Sequence, residues 1–136
     1  MIRFRKQSNN KKRGAALVEL AITLPVLVLI FLGTIEVISM IFLRQTLKIA
    51  AYEATRVALV NGSNDKFATQ AANQILKGRG VKDFNVSVTP SNFSAAAYGT
   101  PITVQVRVKA NSNSALIAGF YNGTDLTASV TMMKEN

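Results

Sequence analysis

The chain changes its hydrophobic period along its length, and each change marks an element. From Leu20 to Leu43 the one charged residue is Glu36, so the stretch is apolar on every side. A helix of that kind is either deeply buried or in a membrane, and this one would reach about 36 Å, enough to cross a bilayer. Pro25 near its start either kinks the helix or is accommodated by packing against neighbours. Past Leu43 the pattern becomes one-sided. In FLRQTLKIAAYEATRVALV (42–60), Leu43, Leu47, Ala50, Ala51, Ala54, Val57 and Ala58 fall on one stripe at helical spacing, with Arg44, Lys48, Glu53 and Arg56 mostly off it. The pattern predicts one long helix from about Ala15 to Val60, apolar all round and then amphipathic. NGSND (61–65) ends it, with Gly62 as the C-cap.

A second, shorter helix comes next in KFATQAANQILKG, capped by Asn64 or Asp65, with Phe67, Ala71, Ile75 and Leu76 as its apolar face and Gly78 and Gly80 as its stop. The period then becomes two. DFNVSVTP alternates Phe84, Val86 and Val88 with polar residues. TPITVQVRVKA alternates Ile102, Val104, Val106 and Val108, and LTASVTMMKE does the same around Leu126, Ala128, Val130 and Met132. SALIAGFYNG, between the last two, is a helical turn or a buried loop. The expected fold class is α+β: a long N-terminal transmembrane helix continuing into an amphipathic one, capped by an antiparallel sheet of about three strands with a second short helix. The expected organisation is a basic leader over 1–14, a helix over 15–60 that spans the membrane at about 20–43, and an exported domain over 61–136.

Composition narrows the function by exclusion. A net charge of +9 over 136 residues invites a nucleic-acid reading, but Arg3, Arg5, Lys6, Lys11, Lys12 and Arg13 all precede the first acid, Glu19. Residues 15–136 carry ten basic and seven acidic side chains, a net of +3. The charge is an N-terminal tag, expected to be disordered over residues 1–13, and no nucleic-acid partner is expected. Its excess over Arg44, Lys48 and Arg56 predicts a cytoplasmic N-terminus and an exported C-terminal part. The chain has neither cysteine nor histidine, which removes disulfides, thiol catalysis and the usual zinc or haem ligands. Asp65, Asp83, Asp125 and Glu135 are scattered among turn residues and read as caps and turn carboxylates. GRG (78–80) and NGT (122–124) are turn punctuation rather than phosphate loops. No catalytic, cofactor or metal site is expected, and no enzyme.

One stretch needs more than composition. KKRGAALVE (11–19) passes from Lys11, Lys12 and Arg13 through Gly14, Ala15 and Ala16 into the apolar run, and carries Glu19 with it. An unpaired charge in hydrocarbon costs from about 3 to more than 10 kcal/mol. A secretory signal would show a small-residue cleavage site after a short apolar core; none is present after Leu32. A plain signal anchor leaves Glu19 near the headgroups, where a carboxylate costs little.

The stretch resembles a class III signal of the type IV pilin superfamily: a short basic leader ending in Gly, then Glu at the fifth mature position, then the hydrophobic helix. By that resemblance a prepilin peptidase cuts between Gly14 and Ala15, and Glu19 is the fifth mature residue. The aromatic first residue of type IVa pilins and type II pseudopilins is missing, as is the Glu-Tyr pair of the small Flp pilins. Residues 13–60 are instead similar to the TadE-like family, pseudopilins or minor pilins of the tight-adherence (Tad/Flp) pilus system. The RGxxxVE step (Arg13–Glu19), an LP step (Leu24–Pro25), a GxxE step (Gly33–Glu36) and RQxLxxAAxEAxR (Arg44–Arg56) occur in the family's order. Val37 departs from the aromatic that often comes after GxxE there.

The resemblance implies a single-pass protein of the bacterial inner membrane that acts by helix–helix assembly. The implied partners are the prepilin peptidase, other pilins and pseudopilins, the inner-membrane Tad machinery and membrane lipid. It implies that Glu19 meets the new α-amine of a neighbouring subunit, a pairing that makes a buried carboxylate far cheaper. Pro25, Glu36 and Arg44 are candidate helix–helix or membrane-edge contacts. Glu36 in particular reads equally as a headgroup neighbour, a partner for Arg44 of another helix, or a solvated edge residue. The competing reading is an unprocessed, permanently anchored binding domain.

Overall fold

The computed structural model of the chain describes residues 8–60, 62–116 and 121–134, residues 8–11 by their backbone alone. In chain order the elements are α1 (Ser8–Ala58), α2 (Asp65–Gly78), β1 (Phe84–Thr89), β2 (Pro101–Lys109) and β3 (Asp125–Met133), with 3-10 turns at Phe93–Ala95 and Asn111–Asn113. The chain divides into two compact units, Met1–Ile35 and Glu36–Asn136, with the border inside α1.

In the first unit every residue of α1 from Lys12 to Leu32 is exposed, the large apolar ones included. The polar side chains along it turn to their own backbone: Thr23 Oγ donates to the Glu19 carbonyl at 2.9 Å and Thr34 Oγ to that of Ile30 at 2.8 Å. Such back-bonding satisfies a hydroxyl where no water is at hand. Pro25 lies inside the helix; with no N–H it leaves the Ala21 carbonyl without its helical donor. The helix starts at Ser8, so Ser8–Arg13 are helical where polarity predicts disorder. Lys and Arg are good helix formers, and lengthening an existing helix is far easier than nucleating one. Residues 1–7 of the expected leader lie outside the described residues.

In the second unit α1 buries one stripe. Leu43, Leu47, Ala50, Ala51, Ala54 and Ala58 are all 6% exposed or less, with Val57 half-buried at the margin. The stripe begins earlier than its apolar residues suggest, for Glu36 is buried and Met40 packs against the core. Residues 36–43, expected in the membrane, thus contribute to the domain's own interior. After Ala58 the backbone tightens, and the turn closed by Ser63 N–H on the Val60 carbonyl carries Gly62 at φ 81°. Gly62 therefore serves this turn rather than capping the helix directly.

Asn64 caps α2, its side-chain oxygen accepting from Phe67 N–H at 3.1 Å, while Asp65 opens the first turn. The other end is a Schellman closure: Gly80 at φ 70°, its N–H on the Lys77 carbonyl and Val81 N–H on that of Leu76. The buried face differs from the expected one. Ala68, Ala72 and Leu76 point inward, while Phe67 is 54% exposed. α2 carries two adjacent apolar stripes, and the core takes the one whose alanines allow close approach.

The three strands form an antiparallel meander in the order β1-β2-β3. Central β2 aligns Val106 with Val86 on one side and Ala128 on the other, and Val104 with Val88 and Val130. Its Ile102, Val104, Val106 and Val108 are sealed against the helices, at 1% exposure or less. The opposite face is polar; Thr103 and Thr131 hydroxyls meet there at 2.8 Å. Lys134 ties down the connection between β1 and β2, its ammonium donating to the carbonyls of Phe93, Ser94 and Ala96, each at 3.0 Å.

Candidate functional site

The N-terminal half of α1 carries the residues singled out by the border motif. Gly14 is a helix-interior residue, and a Cβ built on it would meet nothing within 4 Å. Glycine in a helix interior costs about 1 kcal/mol relative to alanine, so packing within this chain gives no reason for it. The same holds for Gly33, whose Cβ position is also open. Lys12, Arg13, Ala15 and Glu19 are all exposed, and among the described residues no ion pair involves the Glu19 carboxylate. Lys11 is helical. The structure places Gly14, Ala15 and Glu19 on one helix, where the Thr23 hydroxyl donates to the Glu19 carbonyl.

Glu36 is treated quite differently. It is 4% exposed, and its carboxylate is taken up by a segment far along the chain. Ser114 Oγ donates to Oε1 at 2.6 Å and the Leu116 backbone N–H to Oε2 at 2.9 Å. Both carboxyl oxygens of Glu36 are thus held by that segment. The connection that supplies the donors is itself clamped. The Asn113 side chain accepts from Lys82 N–H at 2.8 Å and donates to the Lys82 and Lys109 carbonyls at 2.8 and 3.0 Å. Ser112 Oγ donates to the Asp83 carboxylate. Glu36 is thus an anchor point inside the chain. This use is invisible in the sequence, since its partners stand about 80 residues away in a stretch that reads only as a turn or buried loop. Residues 117–120 of that stretch lie outside the described residues.

Arg44 is exposed on α1. The arginine that does touch α1 is Arg79, which donates to Thr46 Oγ at 3.2 Å and sits 5.5 Å from the centroid of the Phe42 ring. Sequence reading misses this contact, which becomes readable only once the Schellman turn delivers Arg79 to α1. Of the scattered carboxylates, Asp65 opens α2, Asp83 belongs to the clamp, and Asp125 stands opposite Lys109 at the start of β3. Glu135 lies outside the described residues. Among the described residues no group of three or more carboxylates gathers as a metal site would require.

Among the described residues one helix is long and apolar enough to cross a membrane, and it carries both the border motif and Glu36. No curated protein and no solved structure matches the chain. Residues 14–56 match the family model described as TadE-like protein, so the part of α1 that begins at Gly14 and ends at Arg56 is similar to that family.

Proposed function

We propose that this protein is a minor pilin or pseudopilin of a Tad-type pilus assembly system, anchored by α1 in the bacterial inner membrane with its N-terminus cytoplasmic. A prepilin peptidase removes residues 1–14, and the mature chain works by helix–helix assembly with other pilins and the Tad machinery rather than by catalysis. The similarity of α1 to the TadE-like family supports the pilus association. The observation that supports the mechanism is the bare, all-round apolar surface of α1 from Ala15 to Leu32, with one carboxylate, Glu19, near its start.

That surface fits lipid before assembly and the helices of neighbours after it. Cutting at Gly14–Ala15 takes away the basic leader and creates an α-amine four residues before Glu19, which suits pairing with the carboxylate of an adjacent subunit. The open space around Gly14 fits a site read by an external protein. Because the domain claims α1 from Glu36 onward, the membrane span in this reading is Ala15 to Ile35, about 31 Å of helix.

Intact mass of the full chain extracted from membranes of cells with an active prepilin peptidase tests this. The expected mass lacks residues 1–14, and Gly14→Leu keeps them. A mature protein that retains its leader would instead support the permanently anchored domain.

A further inference from the structure

β3 is an open edge of the sheet. It runs for nine residues and pairs with β2 at each of them, without a bulge. At the two ends of this ladder Ala110 N–H bonds the Thr124 carbonyl and Lys134 N–H that of Thr100. Antiparallel pairing alternates, so the even-numbered residues of β3 face β2, while Thr127, Ser129 and Thr131 turn their N–H and C=O outward. Among the described residues no backbone group bonds to those outward groups.

Sheet edges are normally blunted by charge, proline, a bulge or a cover. β1, the other edge, follows that rule: it has six residues, Pro90 stops it, and α2 packs against it. From Leu126 to Met133 there is neither a charge nor a proline. Lys134, which could guard this edge, is turned to the carbonyls of Phe93, Ser94 and Ala96. Beside the edge lies a trough of about 600 Å³, between Ser129 and Val130 on β3 and Lys48, Ile49, Tyr52 and Glu53 on α1. Ile49 and Tyr52 are exposed there, and the one base and one acid offset each other. Both walls belong to the second unit.

We propose that β3 takes up an extended, uncharged segment of another protein as a fourth, antiparallel strand. Outward backbone groups at the spacing of a ladder are met in full only by another extended chain. An edge without charge beside a trough of balanced charge selects a neutral segment. Hydroxyl residues on one face of that segment lie next to Thr127, Ser129 and Thr131. Apolar β-branched residues on its other face rest on Ile49 and Tyr52, as Val104 and Val106 of β2 lie beside Val130 and Ala128. The inference goes beyond the pilus reading and depends on neither processing nor anchoring.

The test titrates the full chain in detergent with capped octapeptides that alternate threonine and valine, following amide hydrogen exchange at Thr127, Ser129 and Thr131. With its valine amides N-methylated the peptide keeps the edge that faces β3; with its threonine amides methylated it loses that edge. The first is expected to protect all three amides, and the second to bind more weakly by more than about tenfold. Ser129→Pro removes an outward N–H and should abolish binding. Tyr52→Ala, which leaves the ladder intact, should weaken it about fivefold. Failure of the first peptide to bind, equal binding of both, or binding unaltered by Tyr52→Ala overturns the inference. Protection without peptide that rises with protein concentration means that a second copy holds the edge, and overturns the choice of partner.

Discussion

The two halves of α1 are built on the same helix and find opposite environments. From Lys12 to Leu32 every residue is exposed, while from Glu36 to Ala58 one face is sealed by the chain's own domain. The side chains differ accordingly. The first half displays Leu, Ile, Val and Phe around the whole circumference, a surface with no preferred direction. The second half offers Ala50, Ala51, Ala54 and Ala58 along its buried stripe, where small residues let other elements approach closely. The two carboxylates obey the same division. Glu36 has donors supplied by its own fold, whereas Glu19 stands on a surface that its own chain leaves open. One helix thus holds one acid inside its own fold and carries another on an open surface.

This contrast can be broken by substitution. The largest expected effect is all-or-none: Glu19→Ala inserts into the membrane as the parent does but fails to assemble, as read by crosslinking or co-purification with other pilins. Normal assembly of that variant would remove the assigned role of this carboxylate. Next comes Leu47→Ala, which opens a cavity in a fully buried position and should cost about 2–5 kcal/mol, measured by denaturant unfolding of the full chain in detergent. Leu27→Ala, in the open half, should change the same quantity by less than about 0.5 kcal/mol.

Removing the carboxylate of Glu36 tests the sealed half at its polar end. Glu36→Ala leaves the Ser114 hydroxyl and Leu116 N–H without their acceptor and should cost about 1–3 kcal/mol. Glu36→Gln, which keeps one carbonyl oxygen, should lose less. A negligible loss with Ala would mean that water replaces the carboxylate and that the anchor is weak. Gly80→Ala should cost about 1 kcal/mol in the same measurement, more than Leu27→Ala. At Gly80 the φ of 70° burdens any Cβ, although nothing lies within 4 Å of it.

Much of this architecture is legible from periodicity. A run without charges can be read as a helix that needs lipid or neighbours, and the shift to period two at Phe84 announces the strands, whose register keeps Val86, Val106 and Ala128 on one face. Local pattern falls short where two answers fit it equally. The stripes 67/71/75 and 68/72/76 of α2 both read as apolar, and the choice depends on which elements approach and how closely. Polarity alone predicts disorder over Ser8–Arg13, yet these residues are the first turns of a helix nucleated by the apolar run downstream.

By itself the sequence determined the length and all-round apolarity of the first half of α1, the border motif with Gly14 and Glu19, and the alternation that makes the sheet. These are local properties, written within one or two turns or a single strand. Only the tertiary structure decided where the domain begins on α1, which face of α2 is buried, and that Glu36 belongs to the subunit's interior. Each of those depends on hydrogen-bond or packing partners far away in the chain. A carboxylate looks the same in a sequence whether its donor is lipid, a neighbour, or a serine 78 residues further on.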